Sequence, residues 1–332
     1  MAFGEFELIA RYFQRPQRPA TGTVALGVGD DCALLQPRPG TQIAVSCDML
    51  VEERHFFRDV DPATLGHKAL AVNLSDLAAC GARPLACTLA LALPRADEAW
   101  LSAFARGLFA LADVHDCQLI GGDTTRGPLN ICITVFGEVP VVDGRSQALL
   151  RSGARPGDEI WVSGTLGEAR LALEALQGKL PLNADVLRVA RARLECPTPR
   201  VALGLALRGV ANACIDLSDG LMGDLGHILE LSHCGATLDT ASAAGLLAVD
   251  AGLDHEQRLA LVLGGGDDYE LLFTAPVSAR EAVLAAGRQA DTPVTRIGRI
   301  EAAPGLHLVD AQGRPVSGRF ASFDHFAQTA GP

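Results

Sequence analysis

The run from Lys68 to Ala82, KALAVNLSDLAACGA, limits the possible folds more than any other stretch of the chain. It is apolar on nearly every helical face, so the helix it predicts must be wrapped by other elements on all sides. DPAT just before it supplies Asp61 as N-cap with Pro62 at the first helical position, and Gly81 supplies the stop, which predicts a helix over 61–81. A single carboxylate, Asp76, interrupts the apolar surface. The expectation is that it is substantially buried, where it needs a partner because an unpaired buried carboxylate is strongly destabilising. Lys68, two turns away, and Arg83 are the cations that the local sequence offers.

A helix wrapped in this way needs a large core. The chain has 332 residues, of which 48% are hydrophobic, enough for two domains with a core each. RSGARPGDEI, rich in Gly, Pro and charge and followed at once by the strand-like IWVSG, marks the junction, giving domains over 1–150 and 151–332. In the first half, strands are predicted at QIAVSCDM, PLACTLALALP, CQLIGGD and LNICITVFGEV, and helices over 61–81 and 97–115. In the second half, helices are predicted near 166–177, 184–195, 199–209, 220–233 and 277–289, with strands near 213–217, 269–275, 294–300 and 306–310. Neither half has the regular strand, helix, strand rhythm of a doubly wound sheet, so the fold class is α+β with two α/β domains.

Composition excludes several functions. The formal net charge of -11, with no Lys/Arg run, argues against nucleic acid and anionic membrane as partners. No apolar run reaches the roughly 20 residues that span a bilayer. The amphipathic N-terminus, MAFGEFELIARYF, lacks an export signal, so a cytoplasmic location is expected. The nine cysteines form no C-x-x-C pair and read as reduced, small hydrophobes, and neither they nor the eight histidines show zinc spacing. The lysines, Lys68 and Lys179, lie outside any G-x-x-x-x-G-K-[ST] motif, which excludes a P-loop. A dinucleotide G-x-G-x-x-G also fails, because Cys32 stands where the third glycine belongs.

The positive signal is aspartate at the ends of apolar segments: Asp30 and Asp31 in GVGDD, Asp48 in SCD, Asp76 in NLSD, Asp123 in IGGD, Asp216 and Asp219 in IDLSD, and Asp267 and Asp268 in GGGDD. One such residue alone is a turn or helix cap more often than a site. If several of them converge, their repulsion requires divalent cations, which predicts magnesium, the usual oxygen-liganded companion of phosphates. The glycines before Asp30, Asp123 and Asp267 leave backbone N–H groups accessible to phosphate oxygens.

GEFELIARYF, GVGDDCALL, KALAVNLSDLAACGARP, QLIGGDTTRG, RSGARPGD, IDLSDGL and GGDDYELLFT together resemble the thiamine-monophosphate kinase family, along almost the whole chain. RSGARPGD and IDLSDG also resemble the wider aminoimidazole-ribonucleotide synthetase-like (PurM-like) superfamily, which includes selenophosphate synthetase. The resemblance implies a homodimer in which the N-terminal domains share a β-barrel and carry the ATP and magnesium sites, while a C-terminal mixed-sheet domain closes over the active site. It implies ATP as co-substrate and several magnesium ions, held by Asp30 or Asp31, Asp48, Asp76, Asp123, Asp216 and Asp219, with Ser46 and the Cys47 position assisting. Gly122, Asp123, Arg151 and Ser218 fall at ATP contacts, and His55, Asp267 and Phe323 at contacts to thiamine monophosphate. Cys47, Asp267 and Phe323 depart from the family's usual hydroxyl residue, Glu, and Tyr or Trp. No catalytic side chain is expected, because an ionised phosphate acceptor needs no general base. A different ATP-using superfamily member and a non-catalytic metal or nucleotide sensor are the alternatives. The lack of Cys before residue 32 counts against selenophosphate synthetase.

Overall fold

The computed structural model describes residues 4–15, 23–318 and 320. The chain divides into two compact units between Ala148 and Leu149.

The first unit contains α1 (Glu5–Tyr12), β1 (Val24–Leu26), β2 (Leu34–Leu35), β3 (Thr41–Val51), α2 (Pro62–Ala79), β4 (Arg83–Leu93), α3 (Glu98–Val114), β5 (Gln118–Arg126), β6 (Asn130–Val142) and β7 (Arg145–Ser146). Its main sheet has the order β3-β6-β4-β5, with β7 folded back onto β6. The β3–β6 and β6–β4 pairs are antiparallel and β4–β5 is parallel, as the long α3 crossover from β4 to β5 allows. Asp61 caps α2 by accepting from the Ala63 N–H at 2.7 Å, with Pro62 following, as the sequence predicts.

Alternation along the strands explains which face is covered. Ile131, Ile133 and Val135 of β6 are buried, and α2 lies on their side of the sheet, where Leu77 approaches Gly137. The alternate residues are less covered: Val45 and Met49 of β3 are 59% and 53% exposed, and Ala90 of β4 is exposed. One face of this sheet therefore carries helices, while the other presents an apolar surface to solvent.

The second unit contains β8 (Glu159–Ser163), α4 (Glu168–Leu176), α5 (Ala184–Glu195), α6 (Val201–Ala206), β9 (Ala213–Asp216), α7 (Leu221–Ser232), β10 (Gly235–Asp239), α8 (Thr240–Ala244), α9 (His255–Gly264), β11 (Leu271–Ala275), α10 (Arg280–Gln289), β12 (Val294–Glu301) and β13 (Gly305–Val309). The sheet order is β13-β10-β12-β8-β11-β9, antiparallel except for the β10–β13 pair. Ile160 and Val162 of β8, Leu272 of β11 and Ile297 of β12 join α4, α5, α7, α8 and α9 in one core. Sequence periodicity located most of these elements; β10, α8 and α9 were missed. The mixed sheets and segregated helices make the fold α+β.

Candidate functional site

In the first unit, β3 and α2 bring three of the expected residues together. The Ser46 hydroxyl donates to Asp76 Oδ2 at 2.5 Å, and the Asp48 N–H donates to Asn73 Oδ1 at 3.0 Å. Asn73, fully inside α2, is itself held by donating from Nδ2 to the Ala69 carbonyl. The burial expected of Asp76 holds in the main: the residue is largely covered and keeps some exposure. From Lys68 to Ala78 every residue is buried except Asp76, which is half-buried. It sits where α2 meets Ser46, whose hydroxyl supplies a partner that a largely covered carboxylate needs.

Asp30 and Asp31 lie in the exposed loop between β1 and β2, where Asp30 Oδ1 accepts from the Asp31 N–H at 2.8 Å. Asp123 is exposed on β5. Its register partner is Ala90, which pairs in turn with Cys132, whereas Asp48 aligns with Ile133, Leu89 and Gly122. Asp48 and Asp123 thus stand one row apart and three strand spacings across, roughly 14 Å along a flat sheet. Gly122 has φ 144° and its missing Cβ would lie 1.8 Å from the Leu89 carbonyl oxygen, so close contact with β4 requires glycine there. Cys47, exposed, has its sulfur 3.3 Å from that of Cys132 on β6. His55 closes the turn after β3: its Nδ1 accepts from the Val51 N–H at 3.0 Å, while its own N–H donates to the Val51 carbonyl at 2.9 Å.

In the second unit, the loop after β9 and the loop before β11 are joined by backbone hydrogen bonds. The Leu217 N–H donates to the Glu270 carbonyl, Tyr269 to Leu217, and Asp267 to Ser218, at 2.8, 2.9 and 2.9 Å. A Cβ at Gly266 would come within 2.3 Å of the Ser218 carbonyl oxygen, so the glycine run permits this approach. Asp216, Ser218, Asp219 and Asp267 therefore belong to one double loop. Asp267 and Tyr269 adopt φ of 68° and 51°, left-handed values that non-glycine residues hold only when their surroundings enforce them. The Tyr269 hydroxyl donates to Asp267 Oδ1 at 3.2 Å.

Beneath this double loop lies a charged support that the sequence reading missed. Glu270 has no solvent exposure and receives Arg193 Nη2 at 2.7 Å, Arg200 Nε at 2.6 Å and the Ser163 hydroxyl at 2.5 Å. Asp268 accepts from the Gly167 N–H at 2.8 Å, serving the start of α4; burial, only partly offset by that N–H, pushes its carboxyl well above the ordinary range. Asp224 accepts from the N–H groups of Asp219 and Gly220, each at 3.2 Å. Burial and the Asp219 charge push Asp224 up to about 7. The available signal was LSDGLMGD, where Asp224 returns one turn into α7 to tie down the loop it follows.

Arg151 is exposed, and its carbonyl accepts from the Ser232 hydroxyl at 3.4 Å. Phe323 lies outside the described residues. Among the described residues no group of three or more His, Cys, Asp or Glu is already gathered to hold a metal ion. The donor chemistry nonetheless fits magnesium: carboxylates and a hydroxyl, exposed or half-buried at Asp30, Asp31, Asp48, Asp76, Asp123 and Asp219, are the hard oxygen ligands that this ion takes while keeping some of its water.

Residues 29–139 match the AIR synthase related protein, N-terminal domain, and residues 155–311 match the AIR synthase related protein, C-terminal domain. This two-domain class is defined by a fold shared among different activities. Within it, the chain is 48% identical over 330 residues to the thiamine-monophosphate kinase of Salmonella typhimurium (strain LT2), covering 98% of this chain and 99% of that relative. The crystal structure of thiamine-monophosphate kinase from Stenotrophomonas maltophilia K279a superposes with a TM-score of 0.81 at 48% identity, covering 89% of this chain and 93% of that one. A structure of AaThiL complexed with AMPPCP and TMP superposes with a TM-score of 0.73 at 27% identity, covering 88% and 89%. The chain belongs to the thiamine-monophosphate kinase family.

Proposed function

We propose that this protein transfers the γ-phosphate of ATP directly to thiamine monophosphate, giving thiamine diphosphate and ADP, with several magnesium ions bound. Nearly full-length identity of 48% to a named kinase carries the reading, and the aspartates at matching motifs support it. Bound magnesium would neutralise the approaching phosphates. Asp30, Asp31, Asp48, Asp76, Asp123, Asp216 and Asp219 are proposed to hold it, with Ser46 orienting Asp76 and the Cys47 position assisting. The spacing of Asp48 from Asp123 favours more than one ion, since each carboxylate must lie within about 2.1 Å of the ion it binds.

Gly122, Asp123, Arg151 and Ser218 are proposed to contact ATP, and His55, Asp267 and Phe323 to contact thiamine monophosphate. The hydrogen-bonded double loop gives Ser218 and Asp267 fixed positions before substrate arrives, so alignment for in-line attack costs little reorganisation. No side chain need remove a proton, because the acceptor phosphate oxygen is already ionised near neutral pH. Residues 1–150 would carry ATP, metal and dimer contacts, and residues 151–332 would close over the site. The open apolar face of β3, β6 and β4 suits packing against the same face of a second copy to form a shared barrel. The setting of the reaction is proposed to be the cytoplasm.

Acid quenching of a reaction with γ-labelled ATP tests direct transfer. Label is expected only in ATP and thiamine diphosphate, whereas label on a His or Asp of the protein contradicts a direct mechanism.

A further inference from the structure

We propose that Asn73 is a positioning residue of the first unit's metal site: its side-chain amide fixes the register of β3 on α2, and with it the placing of Asp48 relative to Asp76. The inference rests on the reading above in which these aspartates hold magnesium.

Asn73 is 1% exposed, a polar side chain inside the apolar run of α2. Both ends of its amide are used. Nδ2 donates to the Ala69 carbonyl, one turn back along the helix, at 3.0 Å, and Oδ1 accepts from the Asp48 N–H at 3.0 Å. A carbonyl can only accept and a backbone N–H can only donate, so these two partners fix which way the amide faces. β3 is an edge strand of its sheet, and alternate N–H groups of such a strand point away from the neighbouring strand. That of Asp48 is taken up by the helix.

Two contacts tie the strand to the helix. Ser46 and Asp48 are two apart on β3 and share a face, roughly 7 Å from each other. Asn73 and Asp76 are three apart on α2 and are neighbours at roughly 5–6 Å. The Ser46–Asp76 and Asp48–Asn73 bonds therefore form adjacent rungs between strand and helix. Ser46 alone would leave β3 free to pivot about one rotatable hydroxyl. The Asn73 rung holds the backbone of Asp48 itself. Magnesium takes oxygen ligands at about 2.1 Å in near-octahedral order, so a small slip of the strand would carry the Asp48 carboxylate out of place. A neutral amide suits this position. In the second unit the Asp224 carboxylate accepts from the Asp219 and Gly220 N–H groups, but a carboxylate at position 73 would add a third negative charge beside Asp48 and Asp76.

The test compares the full-length parent protein with Asn73→Ala, which removes both bonds, and Asn73→Asp, which keeps an acceptor for the Asp48 N–H. Three quantities are read: residue-resolved hydrogen exchange at Asp48, the rise of the thermal midpoint with magnesium chloride, and the free magnesium that gives half-maximal turnover at fixed ATP. In Asn73→Ala the Asp48 amide should exchange faster and both magnesium curves should move about tenfold or more to higher concentration, while KM for thiamine monophosphate stays near the parent value. In Asn73→Asp, exchange and both curves should stay near those of the parent, because the acceptor remains and the added charge attracts the ion. Loss of stability in Asn73→Ala with unchanged magnesium curves would make Asn73 a purely structural residue and overturn the proposal. A shift of about tenfold in Asn73→Asp would overturn it too, and this variant decides the matter if Asn73→Ala does not fold. A parent protein that needs no magnesium for turnover and gains no thermal stability from it would instead remove the reading of the site on which the inference rests.

Discussion

The two units hold their aspartates in different ways. In the first, Asp30, Asp31 and Asp123 are exposed, and Asp76 keeps partial exposure on a helix that is otherwise buried from Lys68 to Ala78. In the second, Asp216 is buried at the end of β9, and Asp219 and Asp267 lie on loops bonded to each other above Glu270 and its two arginines. Partly hydrated carboxylates on an open sheet keep their affinity for hard cations. Loops fixed by buried ion pairs keep their geometry. The first arrangement leaves its carboxylates partly hydrated and the second rests its loops on buried ion pairs, so Asp76 and Glu270 substitutions should separate turnover from stability.

The sharpest way to break that contrast is Glu270→Ala. It leaves Arg193 and Arg200 without their shared buried carboxylate, and a loss of about 3–5 kcal/mol in unfolding free energy is expected by denaturant titration. A change under about 1 kcal/mol would mean that the double loop does not depend on this support. Next comes Asp76→Asn, which keeps volume but removes a charge. Turnover should fall about a hundredfold or more, while the denaturant midpoint stays near that of the parent protein. Turnover near the parent value would remove Asp76 from the site.

Gly266→Ala sharpens the comparison inside the second unit. The added methyl meets the Ser218 carbonyl oxygen, so separation of the loops should cost about 1–3 kcal/mol and raise KM for thiamine monophosphate. Unchanged stability and KM would show that the loops tolerate separation. The smallest effect concerns pH. Burial raises the Glu138 carboxyl, but Arg83 and Arg38 outweigh it and hold the group below its usual range. Its stabilising contribution is therefore present above the ordinary glutamate pKa of about 4.3 and is lost as pH falls through the lower folded value. Urea midpoints measured from neutral pH down to the acid limb should decline more steeply for the parent protein than for Glu138→Gln, and identical slopes would contradict the linkage.

How much of this could be read from sequence depended on range. α2 was legible because its Asp-Pro start, apolar run and Gly81 stop all lie within about twenty residues, and α5 because 184–195 has its own amphipathic period. The aspartate motifs were legible as residues, but their relations were not. Periodicity marks Asp76 as largely covered but sees only its own helix, and its partner Ser46 lies thirty positions away on β3. The Arg193–Glu270–Arg200 group was missed for the same reason: Glu270 lies seventy or more positions from each arginine, and a glutamate in DDYELLF carries no local mark of the arginines it meets. The α9 segment was hidden because HEQRLALVLG runs directly into the glycines, which read as a loop.

The most direct measurement is product analysis after incubating the purified protein with ATP, magnesium chloride and thiamine monophosphate, together with controls that omit each in turn. The predicted result is thiamine diphosphate and ADP in equal amounts, only when all three are present. ADP without thiamine diphosphate, or ATP that is bound and never consumed, would contradict the proposed activity.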